Sequence, residues 1–185
     1  TYGHLGNVYA EKGEHETALR YYKKALAIRE FKLGKRQVKV ADILHENIAT
    51  LLCDQGDFEN GIKHHRRLLD MYEAKAGKMS VEVALVLDNM GTCYYDKEEY
   101  ALSLENHTKA MKIYEKKLGR DALETASAYF NAGTCHQQLD NDEKALADFK
   151  TALQIRQRNL GNDHADTADC LYKIGYIYAN RNEFE

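Results

Sequence analysis

Apolar and small residues recur along this chain at the spacing of a single helix face. In the stretch from residue 129, Tyr129, Ala132, Gly133 and His136 follow i, i+3, i+4, i+7; after the polar break LDNDE a second face runs Ala145, Phe149, Ala152, Leu153, with Ile155 and Leu160 beyond. The pattern predicts two amphipathic helices joined by a tight turn. The same arrangement recurs along the chain. Gly91, Gly133 and Gly175 stand 42 residues apart, Ala49 stands 42 before Gly91, and Gly6 stands 43 before Ala49. A second marker, the glycines Gly34, Gly77, Gly119 and Gly161 that close KLG, KAG, KLG and NLG, steps by 43, 42 and 42. The extra residue is assigned to the linker GKRQVK, because inside a helix it would turn every later side chain about 100° off its face.

The expected organisation is therefore one array over residues 1–185, with repeats at about 1–41, 42–84, 85–126 and 127–168 and a partial repeat at 169–185. Within the turns, Gly13 and Gly56 are suited to positive φ, and Asp57 or Asn141 to capping the next helix. Gly34, Gly77, Gly119 and Gly161 fall where a helix end favours glycine. A helix pair cannot bury two apolar stripes by itself, so neighbouring pairs must stack into an all-α solenoid of antiparallel helix pairs. Gly6, Ala49, Gly91, Gly133 and Gly175, and with them Ala18, Gly61, Ser103 and Ala145, then mark close helix approach, and no proline interrupts any helix.

These positions resemble the tetratricopeptide repeat, whose first helix carries a large residue, Leu-Gly and Tyr, and whose second carries Ala, an aromatic and Ala. Tyr2, Leu5-Gly6, Tyr9, Ala18, Tyr22 and Ala25 fit that pattern. The 42-residue period, the Asn before the apolar-small pair and the closing LGNDHADTA are similar to the kinesin light chain subclass, in place of the common period of about 34. The resemblance covers the whole chain and implies a right-handed α-α superhelix. It departs at Asp163-His164-Ala165, where the subclass has Asp-His-Pro. The chain starts partway into a first helix and stops where a second helix would begin, which is the expectation for a fragment of a longer array.

Composition narrows the function classes. With 26 basic and 29 acidic residues the net charge is −3, a poor match for the counterion release that drives nucleic-acid binding. No apolar run approaches the roughly 18 residues needed to span a bilayer, so neither membrane nor nucleic acid is expected as a partner, and the reading is a soluble cytoplasmic protein. Cys53, Cys93, Cys135 and Cys170 form no CxxC pair, which argues against a disulfide framework and for reduced thiols.

The chemical motifs yield to the repeat. Cys135-His136 could suggest a nucleophile and base, yet Cys93 and Cys135 share a position with Val8, Leu51 and Ile177, which marks apolar packing. His136 stands where Tyr9, Leu52, Tyr94 and Tyr178 stand, and adjacent helical side chains point about 100° apart. His65 and His107 share a position with Tyr22 and Phe149, which makes them packing residues or sources of pH-sensitive stability. His64-His65 has no third ligand at helical spacing, and no phosphate-binding or hydrolase motif appears. No catalytic residue, metal or cofactor is assigned, and an enzyme is not expected.

The resemblance implies that the first helix of each pair lines a concave groove for peptides. Carried over position by position, one rung is His4, Asn47, Asn89, Asn131 and Lys173, and the next Asn7, Thr50, Thr92, Thr134 and Tyr176. An Asn carboxamide both donates and accepts, so this column either pairs with an extended peptide backbone or bonds neighbouring helices to fix repeat geometry. A third rung is Gly3, Glu46, Asp88, Phe130 and Tyr172, and one turn further stand Glu11, Asp54, Asp96, Gln138 and Asn180. Kinesin light chain grooves are basic where they hold acidic cargo, and the carboxylate clamp for chaperone tails needs Lys and Arg where Leu85, Glu46 and Asp88 stand. Neither specificity is carried over. The expected ligand is a basic peptide whose cations face Glu46, Asp88 and Asp96 and whose apolar anchor sits near Phe130 and Tyr172; a solvated acidic face without a ligand is the alternative. As a function this is a protein-interaction scaffold or adaptor, or else a regulatory array packing against flanking domains of its own larger chain.

Overall fold

A computed structural model describes residues 1–33 and 38–180 and, apart from residues 30 and 32–41, their side chains. All described regular structure is α-helical, as the periodicity predicts. A first unit, Thr1–Lys78, contains α1 (Tyr2–Glu11), α2 (His15–Leu33), α3 (Val38–Asp54) and α4 (Phe58–Ala76). A second, Met79–Glu185, contains α5 (Val81–Asp96), α6 (Tyr100–Lys117), α7 (Leu123–Gln138), α8 (Asp142–Leu160) and α9 (Ala165–Asn180). Odd-numbered helices begin the pairs and even-numbered helices complete them.

The turns inside the pairs reach positive φ at one repeated site, filled by Gly13 and Gly56 in the first unit and by Glu98 and Asp140 in the second. The expected caps differ from the finding. Asp57 and Asn141 occupy the N-cap positions, but neither side chain caps its helix. Both are committed within their turns: Asn60 Nδ2 donates to both carboxylate oxygens of Asp57, at 3.0 and 2.9 Å, and Asn141 donates to the Leu139 carbonyl at 3.0 Å. Gly77, Gly119 and Gly161 take positive φ after α4, α6 and α8, as expected, whereas Gly34 lies outside the described residues. Two of the linkers are tied by fully buried threonines, Thr125 and Thr167, whose hydroxyls donate to the Gly119 and Gly161 carbonyls at 2.9 Å.

In the first unit Ala18, Leu19, Tyr22, Ala25 and Leu26 of α2 pack with Leu44, Ile48, Leu51 and Leu52 of α3. In the second, Ala145, Leu146 and Phe149 of α8 pack with Ile177 of α9, bordered by Phe130, Ile174 and Tyr178. The packing position assigned to Leu51, Cys93, Cys135 and Ile177 is buried in all four, while Val8 of α1 is 45% exposed. Cys135 and Cys170 are free and buried, in line with the expectation of reduced thiols at those two positions.

Candidate peptide-binding site

In the first unit Asn47 of the asparagine column bonds a neighbouring helix. The Tyr22 hydroxyl donates to Asn7 Oδ1 at 2.9 Å, and Asn47 Nδ2 donates to the same oxygen at 3.3 Å, linking α2 and α3 to α1. Glu46 is partly buried, and burial raises its carboxyl above the usual range, while Thr50 is exposed. Beneath them His45 and His64 meet Nδ1 to Nδ1 at 2.8 Å. Burial, with His64 close by, holds His45 and His65 down at about 4, so both imidazoles are neutral near neutral pH.

In the second unit Asp88 is a structural carboxylate. Its Oδ1 lies 2.6 Å from His107 Nδ1, with His107 only 2% exposed, and it accepts a longer bond of 3.5 Å from Asn131 Nδ2. Two expected site residues, Asp88 of α5 and Asn131 of α7, are thereby brought together. The buried Tyr114 hydroxyl is raised by desolvation and further by Asp88 and Glu124. Thr92 and Thr134 donate back to the Asp88 and Phe130 carbonyls, at 3.3 and 2.9 Å, as helical threonines commonly do. Asn89 is partly buried and Asp96 exposed. Phe130 is half-buried: its ring centre lies 5.4 Å from that of Phe149, and the Arg156 guanidinium stands 4.7 Å over it.

Tyr172 and Lys173 come together at a cavity of about 460 Å³ between α7 and α9, lined by Gln137, Gln138, Asp140, Asp142, Tyr172, Lys173, Tyr176 and Asn180. Tyr172 is 70% exposed and Tyr176 48%, with ring centres 6.5 Å apart. Asp140 and Asp142 were not foreseen as lining residues, because they belong to the turn after α7 and to the start of α8 rather than to the repeating face of α7. His107 as the partner of Asp88 also escaped sequence reasoning. The signal is a spacing of 19, shared by His45 and His64, Asp88 and His107, and Phe130 and Phe149.

Nothing in this arrangement builds a reactive thiol. Cys135 is fully buried, its sulfur 3.1 Å from Ser103 Oγ, and burial raises its thiol above the usual range. His136 Nε2 faces Asp148, 3.8 Å away across the α7–α8 contact, not the thiol. Among the described residues no cluster of three or more metal-ligating side chains occurs, and no helix is long and apolar enough to cross a membrane.

Models of the tetratricopeptide repeat match residues 39–116, 82–149 and 124–185, and a further one matches residues 1–31. No curated protein sequence matches the chain. Among solved structures the chain is similar to BtubC (BKLC) from P. vanneervenii, at 20% identity and a TM-score of 0.85, covering 97% of this chain and 71% of that one. It is similar to a Podosopora anserina structure of kinesin light chain-like, nearly identical TPR-like repeats, at 11% identity and a TM-score of 0.80, covering 98% and 86%. A Rap protein complexed with Competence and Sporulation Factor shares the fold at 17% identity and a TM-score of 0.73, covering 98% of this chain and 48% of that one.

Proposed function

This chain belongs to the tetratricopeptide repeat family, a protein-interaction scaffold that is typically non-catalytic, and we propose that it binds a basic peptide with an apolar anchor along the exposed face of its odd-numbered helices. The observation that carries the reading is the character of that face: carboxylates, amides and open tyrosines, with Asp96, Thr50 and Thr92 exposed and Tyr172 70% exposed. Such a surface attracts cations and repels acidic ligands. It also argues against nucleic acid as the partner. The Rap protein complexed with Competence and Sporulation Factor supports a ligand-holding role for this fold.

Contacts within the fold divide the labour among the residues. Asp88 and Phe130 hold the wall through His107, Phe149 and Arg156. Glu46 and Asp96 supply negative potential, and Asn89, Thr50 and Thr92 offer polar groups to a peptide backbone. Fluorescence anisotropy with a labelled Arg/Leu peptide and its Glu/Leu counterpart tests this. The basic peptide binds, and the double variant Glu46→Lys, Asp96→Lys binds it several-fold more weakly with a shallower salt dependence. Tighter binding of the acidic peptide by the unaltered protein would contradict the proposal.

A further inference from the structure

We infer that the cavity between α7 and α9 is a pocket for a single arginine side chain of the bound peptide. This rests on the peptide-binding reading above and specifies it. The walls are aromatic: Tyr172 and Tyr176 line the same cavity, both open to solvent, their rings inclined at 34° with centres 6.5 Å apart. One turn of α9 therefore contributes two aromatic rings to the lining, and a planar guanidinium stacks on aromatic rings better than a compact ammonium does.

The remainder of the lining is rich in acceptors. Asp140 and Asp142 bring carboxylates, and Gln137, Gln138 and Asn180 bring carboxamide oxygens. Guanidinium carries five N–H donors and no acceptor, so it can use these groups together, whereas an ammonium offers three donors from one point. Asp140 holds φ at 57°, a conformation that aspartate and asparagine tolerate better than bulkier residues, and this turn geometry sets the carboxylate at the cavity. Among the described residues Lys173 is the only cation in the lining. It disfavours a second basic residue beside the first and can donate to a peptide carbonyl, so the pocket selects one arginine rather than a basic run.

The test uses the pentapeptide acetyl-Ala-Leu-Arg-Leu-Ala-amide and its citrulline, lysine and glutamate counterparts, titrated into ¹⁵N-labelled protein. Citrulline keeps the shape of arginine and removes its charge. The arginine peptide is expected to bind about tenfold more tightly than the citrulline peptide, and more tightly than the lysine peptide, with amide shifts at Gln137, Gln138 and Tyr176. In Asp140→Asn, which keeps a residue suited to the turn, and in Tyr172→Ala, at an exposed site, the preference falls to about twofold while circular dichroism is unchanged. Equal affinity for the arginine and citrulline peptides overturns the pocket. Preference retained in both variants, with shifts at Thr92 and Asp96 instead, also overturns the pocket but leaves the peptide-binding reading standing. Absence of binding by all four peptides overturns both.

Discussion

Gly91 of α5 lies directly against the imidazole of His107 in α6: a methyl group built on the glycine would come within 2.7 Å of the ring. Gly133 and Phe149 repeat the relationship at 2.9 Å, and Gly6 and Tyr22 are likewise too close for a methyl. Each glycine stands sixteen residues before its ring, so the small-residue column is shaped by the large side chain of the paired helix. Among the described residues Gly175 meets nothing within 4 Å. Gly91→Ala and Gly133→Ala should therefore each destabilise the protein by about 1–3 kcal/mol through overpacking. Urea midpoints for the two variants check the expected loss.

The contact between Asp88 and His107 predicts a variant series. Asp88→Ala strands a buried imidazole nitrogen and should cost about 1–3 kcal/mol, and Asp88→Asn, which can keep a hydrogen bond, should cost less. Asn131→Ala, losing only a bond of 3.5 Å, should stay within about 0.5 kcal/mol. Denaturant unfolding measures all three. Asp88→Lys would disturb folding as well as binding, through loss of the His107 contact.

Acidification should weaken the first unit. His45 and His65 are held at about 4 in the folded protein, against an ordinary value of 6.5. The unfolded chain thus takes up protons first, and the stability these histidines contribute, complete above pH 6.5, is lost as pH falls toward 4. Between pH 7 and pH 5 each should lose about 2 kcal/mol, with the two losses less than additive because His64 adjoins both. Asp148 in the second unit runs the other way: burial raises it to about 6, so its contribution is full below its ordinary value of 3.8 and is lost as pH rises through 6. His65→Phe, the residue type at the matching site of α8, should remove much of the acid sensitivity seen by hydrogen exchange in α3 and α4. An unchanged profile would show that His65 is not its source.

Cys135 and Cys170 should resist iodoacetamide in the native protein and react on unfolding, since both are fully buried and burial raises both thiols. Mass spectrometry of alkylated peptides at low and high urea reads the difference.

Much of this fold is legible in the sequence because its period is covalent. The 42-residue spacing of Gly91, Gly133 and Gly175 places the helices, and the tolerance of one site for Leu51, Cys93, Cys135 and Ile177 marks it as core. The site was less legible. Column position shows which face a residue occupies, but not what it touches: the His107 contact of Asp88 and the Phe149 and Arg156 contacts of Phe130 come from the paired helix and are not legible in the column. Asp140 escaped notice because positive φ at a turn was sought at glycines, while the second unit places Glu98 and Asp140 there.

The most direct measurement is amide shift mapping of ¹⁵N-labelled protein with a basic Arg/Leu peptide. Saturable shifts clustered on the odd-numbered helices, at Thr50, Thr92, Asp96, Thr134 and Tyr172, are the predicted result. Shifts clustered on α2, α4, α6 and α8, or none at peptide concentrations that saturate ordinary groove binders, would contradict it.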